Sequence, residues 1–132
     1  MFPDAWSVEA FRQSLRSPHT RVTVAEDGGD IVGYAVVFVA ADEAELANIA
    51  VIDEARGRGL GRRLLEAALD NAAAAGARAI YLEVRASNAP AQRLYEQTGF
   101  VRIGERRGYY RDPDEDAWVM RRSIAPPPGT PR

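Results

Sequence analysis

Apolar positions along the chain change their period several times, and each change marks an element. Ser7 is a residue type that caps helices, and Phe11 and Leu15 then fall on one helical face, which predicts a short helix ending near Leu15. Arg21 to Glu26 alternates as a strand does, and Asp27-Gly28-Gly29-Asp30 predicts a hairpin turn. Ile31 to Ala40, with Val32, Tyr34, Val36, Val37 and Val39, predicts a long strand, and Glu45 to Ile52 predicts the next. From Leu60 the period lengthens: Leu60, Leu64, Leu65, Ala68, Leu69 and Ala72 form the buried stripe of a helix that Gly76 stops. Ala79 to Val84 reads as a strand. Ser87 or Asn88 then caps a short helix, with Pro90 early in it and Gly99 just past it. Val101 to Tyr110 and Ala117 to Met120 close the pattern as strands around a polar turn. Strands first, then helix-crossed strands, imply a mixed α/β sheet with helices on both faces.

Composition narrows the class. A chain of 132 residues suggests one domain with a single modest core. That domain is expected over residues 1–124. Ala125 to Arg132, with Pro126-Pro127-Pro128 and Pro131, is expected to be a disordered tail. A net charge of −2 gives no reason to expect direct nucleic-acid binding. The chain has no cysteine, which excludes disulfides, cysteine-ligated zinc and a cysteine acyl-enzyme. Its one histidine, His19, sits in a Ser-Pro-His-Thr turn, so neither a histidine metal cluster nor a Ser-His-Asp triad can be built, and no metal is expected. No apolar run is long enough for a membrane span, and Met1 to Trp6 lacks a signal peptide's basic and apolar regions. The expected location is the cytoplasm.

One stretch carries chemistry. Arg56-Gly57-Arg58-Gly59-Leu60-Gly61-Arg62 lies between a predicted strand and a predicted helix. Glycine at alternate positions lets backbone N–H groups approach a ligand closely. The helix start adds unpaired N–H groups and the positive end of its dipole, which suits a pyrophosphate. Arg58, Arg62 and Arg63 add positive charge. A Walker loop needs a Lys-Ser or Lys-Thr that is absent here. Counted from Gly57, the third glycine of a dinucleotide fingerprint would fall on Arg62. What remains is R-x-x-G-x-G, at Arg56, Gly59 and Gly61.

This pattern resembles the acyl-CoA loop of the GNAT N-acetyltransferases. Further segments follow in the order and spacing of that fold: Asn48 to Val51, Leu82 to Asn88, Ala91 to Tyr95, and Gly99-Phe100. More narrowly, the chain resembles the RimI-type ribosomal-protein-alanine N-acetyltransferases. Phe2-Pro3, Ala5-Trp6-Ser7, Asp42 to Leu46, Arg107, Tyr109-Tyr110, Glu115 to Ala117 and Met120 carry that likeness. Such proteins normally begin with a strand and a helix before the Phe-Pro segment. The resemblance therefore implies an open edge at the Arg21–Glu26 strand, a less stable domain, and either a homodimer formed through that edge or aggregation.

The resemblance also implies roles. Acetyl-CoA is the expected co-substrate, held by Gly57, Arg58, Gly59, Leu60, Gly61, Arg62 and Asn88. The backbone of Ile49, Ala50 and Val51 offers to pair with the pantetheine arm like an added strand. Asn88 has a second, compatible role as helix cap. Glu83 is the implied general base and Tyr95 the implied general acid, with Glu45 on the preceding strand as the competing base. Tyr109, Tyr110 and Arg107 are candidates for lining the acceptor groove.

An α-amine has a pKa of about 7.7–8.0 against about 10.4 for lysine, so it costs roughly 3.4 kcal/mol less to deprotonate. A modest carboxylate base would then suffice. The expected acceptor is a protein N-terminus, foremost an alanine-first ribosomal protein. A lysine or small-molecule amine is the alternative. A non-catalytic acyl-CoA-binding domain is the reading from a different class.

Overall fold

The computed structural model describes residues 7–124. Met1 to Trp6 and the proline-rich tail lie outside the described residues. The elements run α1 (Val8–Leu15), β1 (Thr20–Asp27), β2 (Asp30–Ala40), β3 (Glu43–Val51), α2 (Leu60–Ala74), β4 (Ala79–Arg85), α3 (Ala89–Gln97), β5 (Val101–Tyr110) and β6 (Glu115–Ser123). All the expected elements are present. β3 starts two residues earlier than the apolar run suggests, and β6 extends past it at both ends, because hydrogen bonding continues where the apolar pattern stops. Ser7 caps α1, accepting at Oγ from the Ala10 N–H at 3.1 Å. Leu15, at the end of α1, is 53% exposed.

The six strands form one sheet in the order β1-β2-β3-β4-β6-β5. Every neighbouring pair is antiparallel except β3–β4, which is parallel. Among the described residues β1 is an edge strand, as expected. α2 lies over β1, β2 and β3 and buries Leu64, Leu65, Ala68, Leu69 and Ala72. Burial of this kind contributes about 1.5–3 kcal/mol for each large apolar side chain. Gly33 permits the close approach: a Cβ there would stand 2.9 Å from Leu64 Cδ1 and 3.0 Å from the Ala50 carbonyl oxygen. A polar tie supplements it, from Asn71 Nδ2 to Thr23 Oγ1 at 2.7 Å. α3 adds Ala91 and Tyr95 to the same core, where Phe100 and Met120 also pack. The two helices meet at Gly61 and Leu94.

One irregularity positions the site. β3 and β4 pair only at Glu43↔Ala79, Ala44↔Ile80 and Glu45↔Tyr81. Against β2, the β3 register steps from Val37↔Leu46 to Val36↔Asn48, so Ala47 is an extra residue. Such a bulge bends its strand. Beyond it β3 pairs with β2 alone, and a cleft opens between β3 and β4 in the middle of the sheet.

Candidate active site

Three cavities border this cleft, neighbours sharing lining residues. The first, about 570 Å³, is walled by the loop before α2 on one side and by α3 on the other, with Gly57, Gly59, Leu60, Gly61 and Arg62 facing Asn88, Pro90 and Leu94. Gly57 and Gly59 have φ of +81° and +74°, the left-handed region that glycine enters without strain. A Cβ at either would project into open space. Gly59 is the N-cap of α2 and provides no side-chain acceptor for the first N–H groups of the helix. The loop is therefore a cradle of unshielded donors, and the residues present fit a pyrophosphate. Its arginines are engaged with neighbours: Arg58 with Asp27 at 2.7 Å, Arg62 with Glu66 at 3.1 Å and Arg56 with Asp53 at 3.4 Å. Half-exposed pairs of this kind contribute about 0–1 kcal/mol each, so a more highly charged anion can compete for the arginines.

The second cavity is the cleft itself, about 200 Å³, and it shares Asn88 with the first. Asn88, not Ser87, caps α3, accepting at Oδ1 from the Ala91 N–H at 3.2 Å. Ser87 instead donates to Glu115 through both its backbone N–H and its hydroxyl. Past Glu45, β3 presents an edge to the cleft that β4 no longer covers, and Ile49, Ala50 and Val51 lie along this stretch. Tyr95 reaches the cleft from α3. It is 5% exposed, with its ring edge-on to Phe100 at 5.7 Å. Burial pushes its phenol far above the ordinary value, so it holds its proton at neutral pH.

The third cavity, about 510 Å³, shares Glu45 and Glu83 with the cleft and is also lined by Phe38, Tyr81, Arg106 and Val119. Glu83 pairs with Arg106 at 3.1 Å; their side chains are 18% and 56% exposed. The Glu45 carboxyl is pushed up, chiefly by burial and next by the charge of Glu83, while Arg106 pulls it down. Tyr109 is pushed up as well, first by burial and then by Glu83. Its ring meets Tyr110 edge-on at 5.0 Å.

Of the residues singled out in sequence, the structure brings Glu45, Glu83, Asn88, Tyr95, Tyr109 and Tyr110 together around the cleft. Arg107 departs from expectation. It pairs with Glu105 and its side chain is 86% exposed, while Arg106 takes the place at the groove.

Arg85 is the other residue the sequence did not reveal. It is buried, donates to the carbonyl oxygens of Arg111 (3.0 Å) and Pro113 (2.9 Å), pairs with Glu115 at 3.5 Å and lies 4.4 Å from the Tyr110 ring centroid. These contacts tie the tip of the β5–β6 hairpin to the end of β4. Gln92 adds a second tie, from its side-chain amide to the carbonyls of Arg85 and Ala86. Among the described residues no group of three or more His, Cys, Asp or Glu could hold a metal ion, and no helix is long and apolar enough to cross a membrane.

The profile of the Acetyltransferase (GNAT) family matches residues 1–100. The chain belongs to this family. The N-alpha-acetyltransferase RimI of Mycobacterium tuberculosis is 42% identical over 128 residues, spanning 94% of this chain and 79% of that protein. The crystal structure of the ribosomal-protein-S18-alanine N-acetyltransferase from Escherichia coli superposes with a TM-score of 0.86 at 35% identity, covering 99% of this chain and 85% of that one. A Bacillus anthracis relative solved in complex with acetyl coenzyme A gives a TM-score of 0.76 at 25% identity, over 87% of this chain and 68% of that one. The mixed-sheet fold and the RimI-like resemblance both hold. This GNAT protein is an acetyl-CoA-dependent N-acetyltransferase.

Proposed function

We propose that this acetyltransferase acts on the N-terminal α-amine of a protein, foremost the alanine-first N-terminus of ribosomal protein S18, the acceptor named for its Escherichia coli relative. Such an acceptor would place the reaction in the cytoplasm. The observation that carries the reading is the chain of cavities: a glycine-cradled groove on one side, an open groove on the other, and Glu83 and Tyr95 in the cleft between them. Gly57 to Arg62 and Asn88 hold acetyl-CoA, and the open edge at Ile49 to Val51 takes its arm as an added strand would. When bound, acetyl-CoA supplies an acetyl group on a thiol leaving group. The remaining steps belong to this chain. The acceptor amine enters from the Glu45–Arg106 groove, and the Glu83 carboxylate takes its proton, directly or through one water. The Tyr95 hydroxyl, kept protonated by burial, holds a proton where the departing sulfur needs one. Glu45 is the second carboxylate on the same wall and the alternative base.

Two conservative variants test the roles. Glu83→Gln and Tyr95→Phe should each lower kcat by about 10²-fold or more, the usual scale for general acid–base groups, with acetyl-CoA affinity retained. For Glu83→Gln the loss should shrink at high pH, where the amine is already neutral. A crippled Glu45→Gln beside a normal Glu83→Gln would move the base to β3.

A further inference from the structure

On a regular strand, Arg106 and Tyr109 would face opposite sides, because successive side chains alternate. Here they do not. The β5–β6 register slips between Arg106 and Tyr110. Within the slip Gly108 takes φ of +62°, and its N–H donates to Asp116 Oδ1 at 2.8 Å. Tyr109 is thereby returned to the side of Arg106, whose guanidinium lies 5.1 Å from the ring centroid. The same guanidinium reaches β4 and meets Glu83 at 3.1 Å. The groups facing this junction come from four strands: Glu43 and Glu45 of β3, Tyr81 and Glu83 of β4, Arg106 and Tyr109 of β5, and Arg121 of β6, which donates to the Tyr81 hydroxyl. His19, just before β1, lines the far end of the groove.

We infer that Arg106 is a positioning residue for acetyl transfer: it fixes the Glu83 carboxylate against the β5 wall and keeps Glu45 and Glu83 from forming a doubly negative trap for the protonated amine. This rests on the proposed role of Glu83 as base. Two carboxylates facing one opening favour the ammonium form of an acceptor, and that form has no lone pair with which to attack. A guanidinium bonded to one of them lowers this attraction and holds the carboxylate in one orientation. Misplacement of a catalytic group by about 1 Å can cost 10²-fold in rate.

The test is steady-state kinetics against pH for Arg106→Gln and Arg106→Lys, in the wild-type and Glu83→Gln backgrounds, with thermal melting to confirm folding. Arg106→Gln should lower kcat about ten- to a hundredfold, without raising KM for the amine acceptor and without changing acetyl-CoA affinity. The acid limb of its kcat profile should move to higher pH, because two carboxylates without the guanidinium hold the bound acceptor in its ammonium form. Arg106→Lys should recover part of the rate. In the Glu83→Gln background, Arg106→Gln should add little, as expected for residues that act through one another. Equal losses in both backgrounds with an unmoved pH profile would make Arg106 structural only and overturn the inference. Full activity in Glu83→Gln alone would remove the base assignment and this inference with it, a result distinct from the first.

Discussion

The α2 side of the cleft and the β5–β6 hairpin border the same reaction space but are held by different forces. α2 buries a stripe of five apolar residues against β1, β2 and β3, and Gly33 lets it settle close to the sheet. β5 is exposed along its whole length apart from Tyr110. Its hairpin is held by directional contacts instead: the Arg85 bonds to two carbonyls, the Arg85–Tyr110 contact, and Arg102 at 3.6 Å from the Trp118 ring centroid. Apolar packing is spread over many atoms, each contributing little on its own. Directional contacts fail one at a time, and a buried donor or acceptor left without its partner costs about 1–3 kcal/mol. The groove assigned to acetyl-CoA thus rests on packing, and the groove assigned to the acceptor rests on individual polar partners.

The largest effect that would break the comparison lies on the packed side. Gly59→Val places a branched side chain at a left-handed backbone position and in the open space of the loop. Acetyl-CoA affinity should fall at least about tenfold, with strain of roughly 1–2 kcal/mol added to folding. Calorimetry on the folded variant checks this, and unchanged affinity would remove the loop from the binding site.

A smaller effect sharpens the polar side. The Glu45 carboxyl is raised in the fold above its ordinary value of 4.5. A raised carboxyl favours folding most when protonated, so its contribution is fully present below 4.5 and is lost as pH rises through the folded value. Glu45→Gln should therefore melt at a higher temperature than wild type at neutral pH, and the gap should close as pH falls below 4.5. A gap that persists unchanged at low pH would show that charge at this wall is not what separates the two forms.

The same division governed what could be read from the residues in order. Apolar spacing located α2 and its stripe, because packing leaves a periodic mark. The glycine-spaced loop marked the anion cradle, and the segments around Glu83 and Tyr95 carried a family likeness that placed both at the cleft. The hairpin wall was less legible. Strict alternation sets Arg106 and Tyr109 on opposite faces, and only the register slip at Gly108 unites them. Arg107, the arginine singled out from the sequence, instead pairs with Glu105 and is largely exposed. Nothing in the sequence around Arg85 marks it as buried, because its partners lie 26 and 28 residues further along the chain. The bulge at Ala47 lies between Leu46 and Asn48, and its one mark in the sequence is that the alternation of Glu43 to Leu46 is not kept from Asn48 to Val51.

The central claim is that the cavities around the cleft serve transfer of acetyl to a protein α-amine. Its most direct test is incubation with acetyl-CoA and a peptide that begins with alanine and carries one internal lysine, followed by mass-spectrometric location of the acetyl group. The account predicts a single acetyl group on the alanine α-amine. Acetylation of the lysine side chain with the α-amine left free, or no transfer to either, would contradict it.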